Sequence, residues 1–157
     1  MLLAKRFQQA VYQAAAASNK AAGTGGGSGL VILGTLGTSN QTGGAQNFSS
    51  LTYATITGTS MSVVVSRPVP LLLLAIYTCK LTVGANNGLV RINPGAAGAA
   101  TGGSYNGAPY YITQMAYEYL TLVQPGSYTM KLEAAVDNVA STLQLLGSNL
   151  TVLQCGM

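Results

Sequence analysis

From Tyr128 to Val136 the chain alternates strictly. Tyr128, Met130, Leu132, Ala134 and Val136 fall on one face, and Thr129, Lys131 and Glu133 on the other. A period of two is a strand with one buried face, because successive side chains of an extended backbone point to opposite sides. Gln124-Pro125-Gly126-Ser127 precedes it as a turn, since Pro pre-sets one turn dihedral and Gly accepts a positive φ. After the break at Asp137-Asn138, Ser141 to Leu146 reads as a second short strand. Gly147-Ser148-Asn149 reads as a turn, and Leu150 to Cys155 as a closing strand. Three strands joined by short polar turns predict an antiparallel meander.

The rest of the chain reads in the same terms. Leu30 to Leu33, Leu51 to Thr57, Met61 to Ser66, Leu71 to Val83, Leu89 to Asn93 and Tyr110 to Val123 are strand segments, the last with a bend near Gln114. Arg67-Pro68-Val69-Pro70 interrupts the ladder, because Pro has no N–H to donate. Gly84 to Gly88, with its Asn-Asn-Gly, is a hairpin turn. Residues 34–46 and 94–108 read as long Gly-rich loops. About eight strands with regularly spaced turns make an all-β fold, an antiparallel jelly roll or β-sandwich.

Ahead of it, residues 2–17 place Leu3, Phe7, Ala10, Val11 and Ala14 on one helical face. Ala14 to Ala17 are strong helix formers. Residues 23–29 are a Gly-rich linker. The expected division is an anchor arm over 1–22, the linker over 23–29, and a sandwich over 30–157.

The segment Pro125 to Leu132, followed by Leu150 to Leu153, resembles the C-terminal end of phage virion-surface jelly-roll proteins of the capsid decoration (cement) or head-fibre type. That resemblance implies a non-enzymatic structural subunit at the capsid surface of a virion. It implies a homotrimer that binds the major capsid protein or other virion proteins. A receptor- or glycan-binding fibre or tail-tip module is the alternative.

Composition agrees with a life among neighbours. Charged residues are 6% of the chain, against about 25% in an ordinary domain. Few charges would need desolvating at an interface. Leu71 to Leu74 with Ile76 exceed what one strand face can bury, which points to a covered surface. Lys5, Arg6 and Lys20 carry the basic excess, with no acid before residue 22. Leu3, Lys5, Arg6, Phe7 and Val11 are therefore the candidate capsid-anchoring residues.

Several chemistries are excluded. There is no histidine and no CxxC, so neither a base titrating near neutrality nor a zinc site is expected. No cofactor is expected: the glycines of 23–29 neither follow a strand nor lead to Gly-Lys-Ser/Thr. Glu118, Glu133 and Asp137 are scattered acids, read as solvated strand positions rather than a catalytic pair. The body has no basic stripe for nucleic acid. The longest apolar run, Val69 to Tyr77, falls short of the ~20 residues that cross a membrane. Gln8, Gln9, Tyr12 and Gln13 interrupt any signal-peptide core. Cys79 and Cys155 read as buried small hydrophobes, able to pair only if their strands are neighbours. Of nine tyrosines, Tyr105, Tyr110 and Tyr111 gather around the second Gly-rich loop. They are the candidate surface contacts, either for a subunit or for a sugar ring.

Overall fold

The computed structural model describes residues 31–82, 87–106 and 110–156, with backbone alone for 103–106. The expected N-terminal helix, the linker, the anchor residues Leu3, Lys5, Arg6, Phe7 and Val11, and the side chain of Tyr105 lie outside the described residues.

Among the described residues ten strands form two antiparallel sheets packed as a sandwich. They are β1 (Val31–Asn40), β2 (Gln46–Phe48), β3 (Ala54–Thr55), β4 (Met61–Val65), β5 (Val69–Leu81), β6 (Asn87–Asn93), β7 (Thr101–Asn106), β8 (Ile112–Val123), β9 (Gly126–Val136) and β10 (Leu143–Gly156). The first sheet runs β1-β10-β5-β8, with β2 also on β10. The second runs β3-β9-β6-β7, with β4 also on β9. The connections β4 to β5, β5 to β6, β7 to β8, β8 to β9 and β9 to β10 all change sheets.

The predicted alternation becomes β9. Met130, Leu132, Ala134 and Val136 enter the core between the sheets, facing Leu71, Leu73, Ala75, Tyr77 and Cys79 from β5. Burying side chains of this size stabilises by about 1.5–3 kcal/mol each before ordering costs. Leu73 lies on a central strand, hydrogen-bonded on both sides, with Val152 and Glu118 as its cross-strand partners.

The meander is corrected. Residues 143–156 form one long strand; a bulge at Leu146 shifts the register, and Gly147 goes on to pair with Thr78. Ser148 and Asn149 do not turn the chain because Asn40 at the end of β1 and Gln41 just after it satisfy them. The Ser148 hydroxyl donates to the Gln41 side chain at 3.2 Å, and the Asn149 amide donates to Asn40 Oδ1 at 2.8 Å. The hairpin at 84–88 is corrected too, since β5 and β6 lie in different sheets. The polar loop 34–46 is mostly β1, and the loop 94–108 contains β7. Its glycines allow close pairing: a Cβ on Gly102 would stand 2.6 Å from that of Arg91. Pro70 sits where the β5–β8 register shifts between Val69 and Leu71, a place that tolerates a missing donor. The register shift in β8 lies beyond Leu120, not near Gln114.

Candidate functional site

β5 is apolar on both faces, and that organises the surface. Leu71, Leu73 and Ala75 point between the sheets. Leu72 and Leu74 point outward and form a second cluster with Leu153 and Cys155 of β10. The register explains the grouping, since Leu72 lies between Leu153 and Tyr119, and Leu74 between Thr151 and Tyr117. Next along, Ile76 lies beside Met115. An outer face of a sandwich is ordinarily polar. Here Leu72 and Cys155 are 0% exposed, and Leu74 and Leu153 3%. Toward β8 the same face opens to solvent: Met115 is 38% and Tyr117 49% exposed. At the opposite edge Val31, Ile32 and Leu33 of β1 are also exposed.

The other end of this face is polar and aromatic. The Tyr111 hydroxyl donates to Gln144 Oε1, and Lys80 Nζ stands 4.6 Å from the Tyr111 ring centre. Tyr110 beside it is 66% exposed. The structure thus holds Tyr111 in a fixed pose and leaves Tyr110 projecting. Sequence reasoning found both tyrosines but missed Lys80 and Gln144, which reach the site only through strand pairing across β5.

The acids do not assemble a catalytic pair. Glu133 is buried on the second sheet, against the expectation of a solvated position. Its carboxylate accepts from Arg91 at 2.7 Å and Lys131 at 2.9 Å. Arg91 also stacks 3.8 Å over the Tyr53 ring. Burial pushes the Glu133 pKa up, but hydrogen bonds from Lys131, Arg91 and Asn93, with the Arg91 charge, outweigh it and leave it lowered. Glu118 is buried as well. Thr101 Oγ1 donates to its Oε2 at 2.6 Å, joining edge strand β8 to edge strand β7 of the other sheet. Burial raises its pKa, and the Thr101 bond only partly offsets that. Asp137 caps β6, accepting from the Asn87 backbone and side-chain amides at 2.8 and 2.7 Å.

These opposite shifts predict opposite pH responses. Glu133 has its folded pKa lowered, so its stabilisation is complete above the ordinary carboxylate range, about 4.3 for Glu, and is lost as pH falls through the folded value. Glu118 has its folded pKa raised, so its contribution is full in acid and lost as pH rises through the folded value. Thermal melts across pH should show Glu133→Gln less stable than the parent at neutral pH, with the gap closing in acid. Glu118→Gln, which keeps an acceptor for Thr101, should equal or exceed the parent at neutral pH. A pH-independent deficit for Glu133→Gln would contradict the ion-pair assignment.

Cys79 and Cys155 are free and cannot pair in this fold. Cys79 faces the main core, opposite Leu145, whereas Cys155 lies at the far end of β10 on the outer face. Burial pushes the Cys79 thiol up to about 12. Among the described residues no group of His, Cys, Asp and Glu could hold a metal ion.

No family model matches the sequence, and no curated protein matches it. Among solved structures the chain is similar to the PRD1 vertex protein P5, at 13% identity and a TM-score of 0.49, over 82% of this chain and 99% of that one. It is similar to a carbohydrate binding module of Cellvibrio mixtus lichenase 5A in complex with cellotriose, at 12% identity and 0.41, over 77% and 94%. It is also similar to infectious bursal disease virus Gx strain, at 8% identity and 0.34, over 80% and 36%. At such identities and scores the likeness is one of strand arrangement and does not extend to side chains.

Proposed function

We propose that this chain is a non-enzymatic, jelly-roll structural subunit of a virion surface, of the capsid decoration kind, working as a homotrimer bound to the major capsid protein. The observation that carries the assembly role is the exposed apolar rim of the first sheet: Met115, Tyr117 and Leu122 on β8, and Val31, Ile32 and Leu33 on β1. Apolar surface left open to solvent in this way suits a subunit of a larger body. The repeated passage of the chain between sheets is the winding of a jelly roll. The virion setting comes from the resemblance of Pro125 to Leu132 and Leu150 to Leu153 to decoration and head-fibre proteins. Purified chain added to particles that lack it should bind saturably at a fixed copy number per particle. Absence of binding at micromolar concentration would sink the reading.

A glycan-binding fibre module is the second reading, favoured by the projecting Tyr110 beside the braced Tyr111. Aromatic rings of this kind can stack on sugar faces. Binding on a glycan array that falls at least about tenfold in Tyr110→Ala, the scale of one ring's contact, would carry that reading in place of the first.

A further inference from the structure

The polar end of the first sheet's outer face is a built platform. Cross-strand neighbours on one face of a sheet stand side by side. The register sets Asn47 of β2, Gln144 of β10 and Lys80 of β5 in one such line. Tyr111 closes it, one residue before Ile112, which pairs with Cys79. The line is tied together, since Tyr111 donates to Gln144 and Lys80 stands over the Tyr111 ring. In the next line Thr113 and Thr78 bring their hydroxyls within 2.8 Å, and Thr78 pairs with Gly147. The space above Gly147 is open: a Cβ there would meet no atom within 4 Å. The groups this platform leaves unspent are donors. Among the described residues no carboxylate pairs with Lys80. Glu133 is taken by Arg91 and Lys131 on the other sheet, Glu118 by Thr101, and Asp137 by Asn87. Gln144 gives its Oε1 to Tyr111, which leaves its Nε2 amide to donate. A tyrosine face attracts the ammonium but carries no formal charge, so the positive charge stays available to an anion.

We propose that this platform binds an anionic saccharide, with its carboxylate or sulfate on Lys80 and the Gln144 amide and a sugar ring against Tyr110. The proposal rests on the glycan-binding reading and names the ligand class. Charge complementarity selects the acidic sugar: two adjacent donors, one of them a full cation, ask for an acceptor that bears charge. Tyr110, 66% exposed beside the braced Tyr111, supplies the ring face. The open space over Gly147 gives the remainder of the ligand room, and the Thr78 and Thr113 hydroxyls meet its polar groups. The site also stands apart from the assembly rims. On β8 the exposed rim begins at Met115, about 13 Å beyond Tyr111 at ~3.3 Å per residue. Leu72 is about 26 Å from Lys80 along β5 on the same scale. One subunit can therefore hold its neighbours with one end of the sheet and a saccharide with the other.

The experiment is a glycan array probed with the full-length chain, carrying uronate, sialylated, sulfated and neutral oligosaccharides. Acidic glycans should bind and neutral ones should bind at least about tenfold more weakly, the scale of one charged hydrogen bond. Hits among the uronate and sialylated spots alone would assign a carboxylate, and hits among the sulfated spots alone a sulfate; either supports the proposal. Lys80→Gln should abolish the preference for acidic glycans, and Lys80→Arg should keep it. Calorimetric melting of Lys80→Gln should match the parent, so that the change reads binding and not folding. A second test on the parent needs no variant: methyl esterification of a uronate hit should cost the same tenfold. Neutral glycans bound as tightly as acidic ones would overturn the proposal and leave the glycan reading standing. An acidic preference unchanged in Lys80→Gln would overturn it too, by moving the anion elsewhere. No binding to any glycan would remove the reading and the proposal together.

Discussion

A Leu73→Ala variant should melt roughly 5–15 °C below the parent. Leu73 is 0% exposed in the main core, and β5 is held on both sides by the longest ladders of the first sheet. Truncating a buried Leu costs about 2–5 kcal/mol, more where the site cannot collapse. In a chain of this size each kcal/mol moves the midpoint by about 2–4 °C. Collapse is restricted here, because β10 and β8 fix the backbone to either side and Met130 and Leu132 pack from the second sheet. Calorimetry on both proteins is the check. A loss under about 0.5 kcal/mol, the cost expected of a surface change, would mean that the inward face of β5 is misassigned.

How much of this was legible follows from which signals are local. The alternation from Tyr128 to Val136 predicted β9, because a one-sided strand writes its period into adjacent residues. The excess of Leu71 to Leu74 with Ile76 predicted an exposed apolar patch; Leu72 and Leu74 do lie on the outer face, but they are buried within the single chain. The sequence could not show that Gly147-Ser148-Asn149 stays extended. The groups that satisfy Ser148 and Asn149 are Gln41 and Asn40, more than a hundred residues away. Gly84 to Gly88 carried a hairpin pattern, but sheet membership is decided by the far partners of β5 and β6, not by the residues between them. The same limit hid the burial of Glu133. Its partner Arg91 comes from another strand, and only the β6–β9 register brings them together. Of the candidate contacts, Tyr110 and Tyr111 were visible as a cluster of exposed aromatics. Lys80 and Gln144, which fix Tyr111 in place, were not.

Replacing Tyr117 by Glu should leave the fold intact and dissolve the assembly. Tyr117 and Met115 are the solvent-open part of the outer apolar strip, and Leu122, 55% exposed, extends it along β8. Val31, Ile32 and Leu33 form a matching exposed rim on β1. β8 and β1 are the two opposite edges of one sheet. A contact between the β8 rim of one subunit and the β1 rim of the next would be heterologous, and such contacts form a ring where the rotation between subunits closes. For the homotrimer proposed above, three copies complete the ring and remove both rims from water. A carboxylate at Tyr117 would be buried without a partner at that contact, a penalty of several kcal/mol on association. It would cost the isolated subunit little, because the position is half open there, and surface substitutions usually change stability by less than about 0.5 kcal/mol. Native mass spectrometry at micromolar concentration should therefore find the parent as a trimer and Tyr117→Glu as a monomer, with melting of the monomeric fold little changed. Leu122→Glu should act in the same direction. A parent that is monomeric would remove the trimer, and a Tyr117→Glu protein that stays trimeric would move the contact away from the β8 rim.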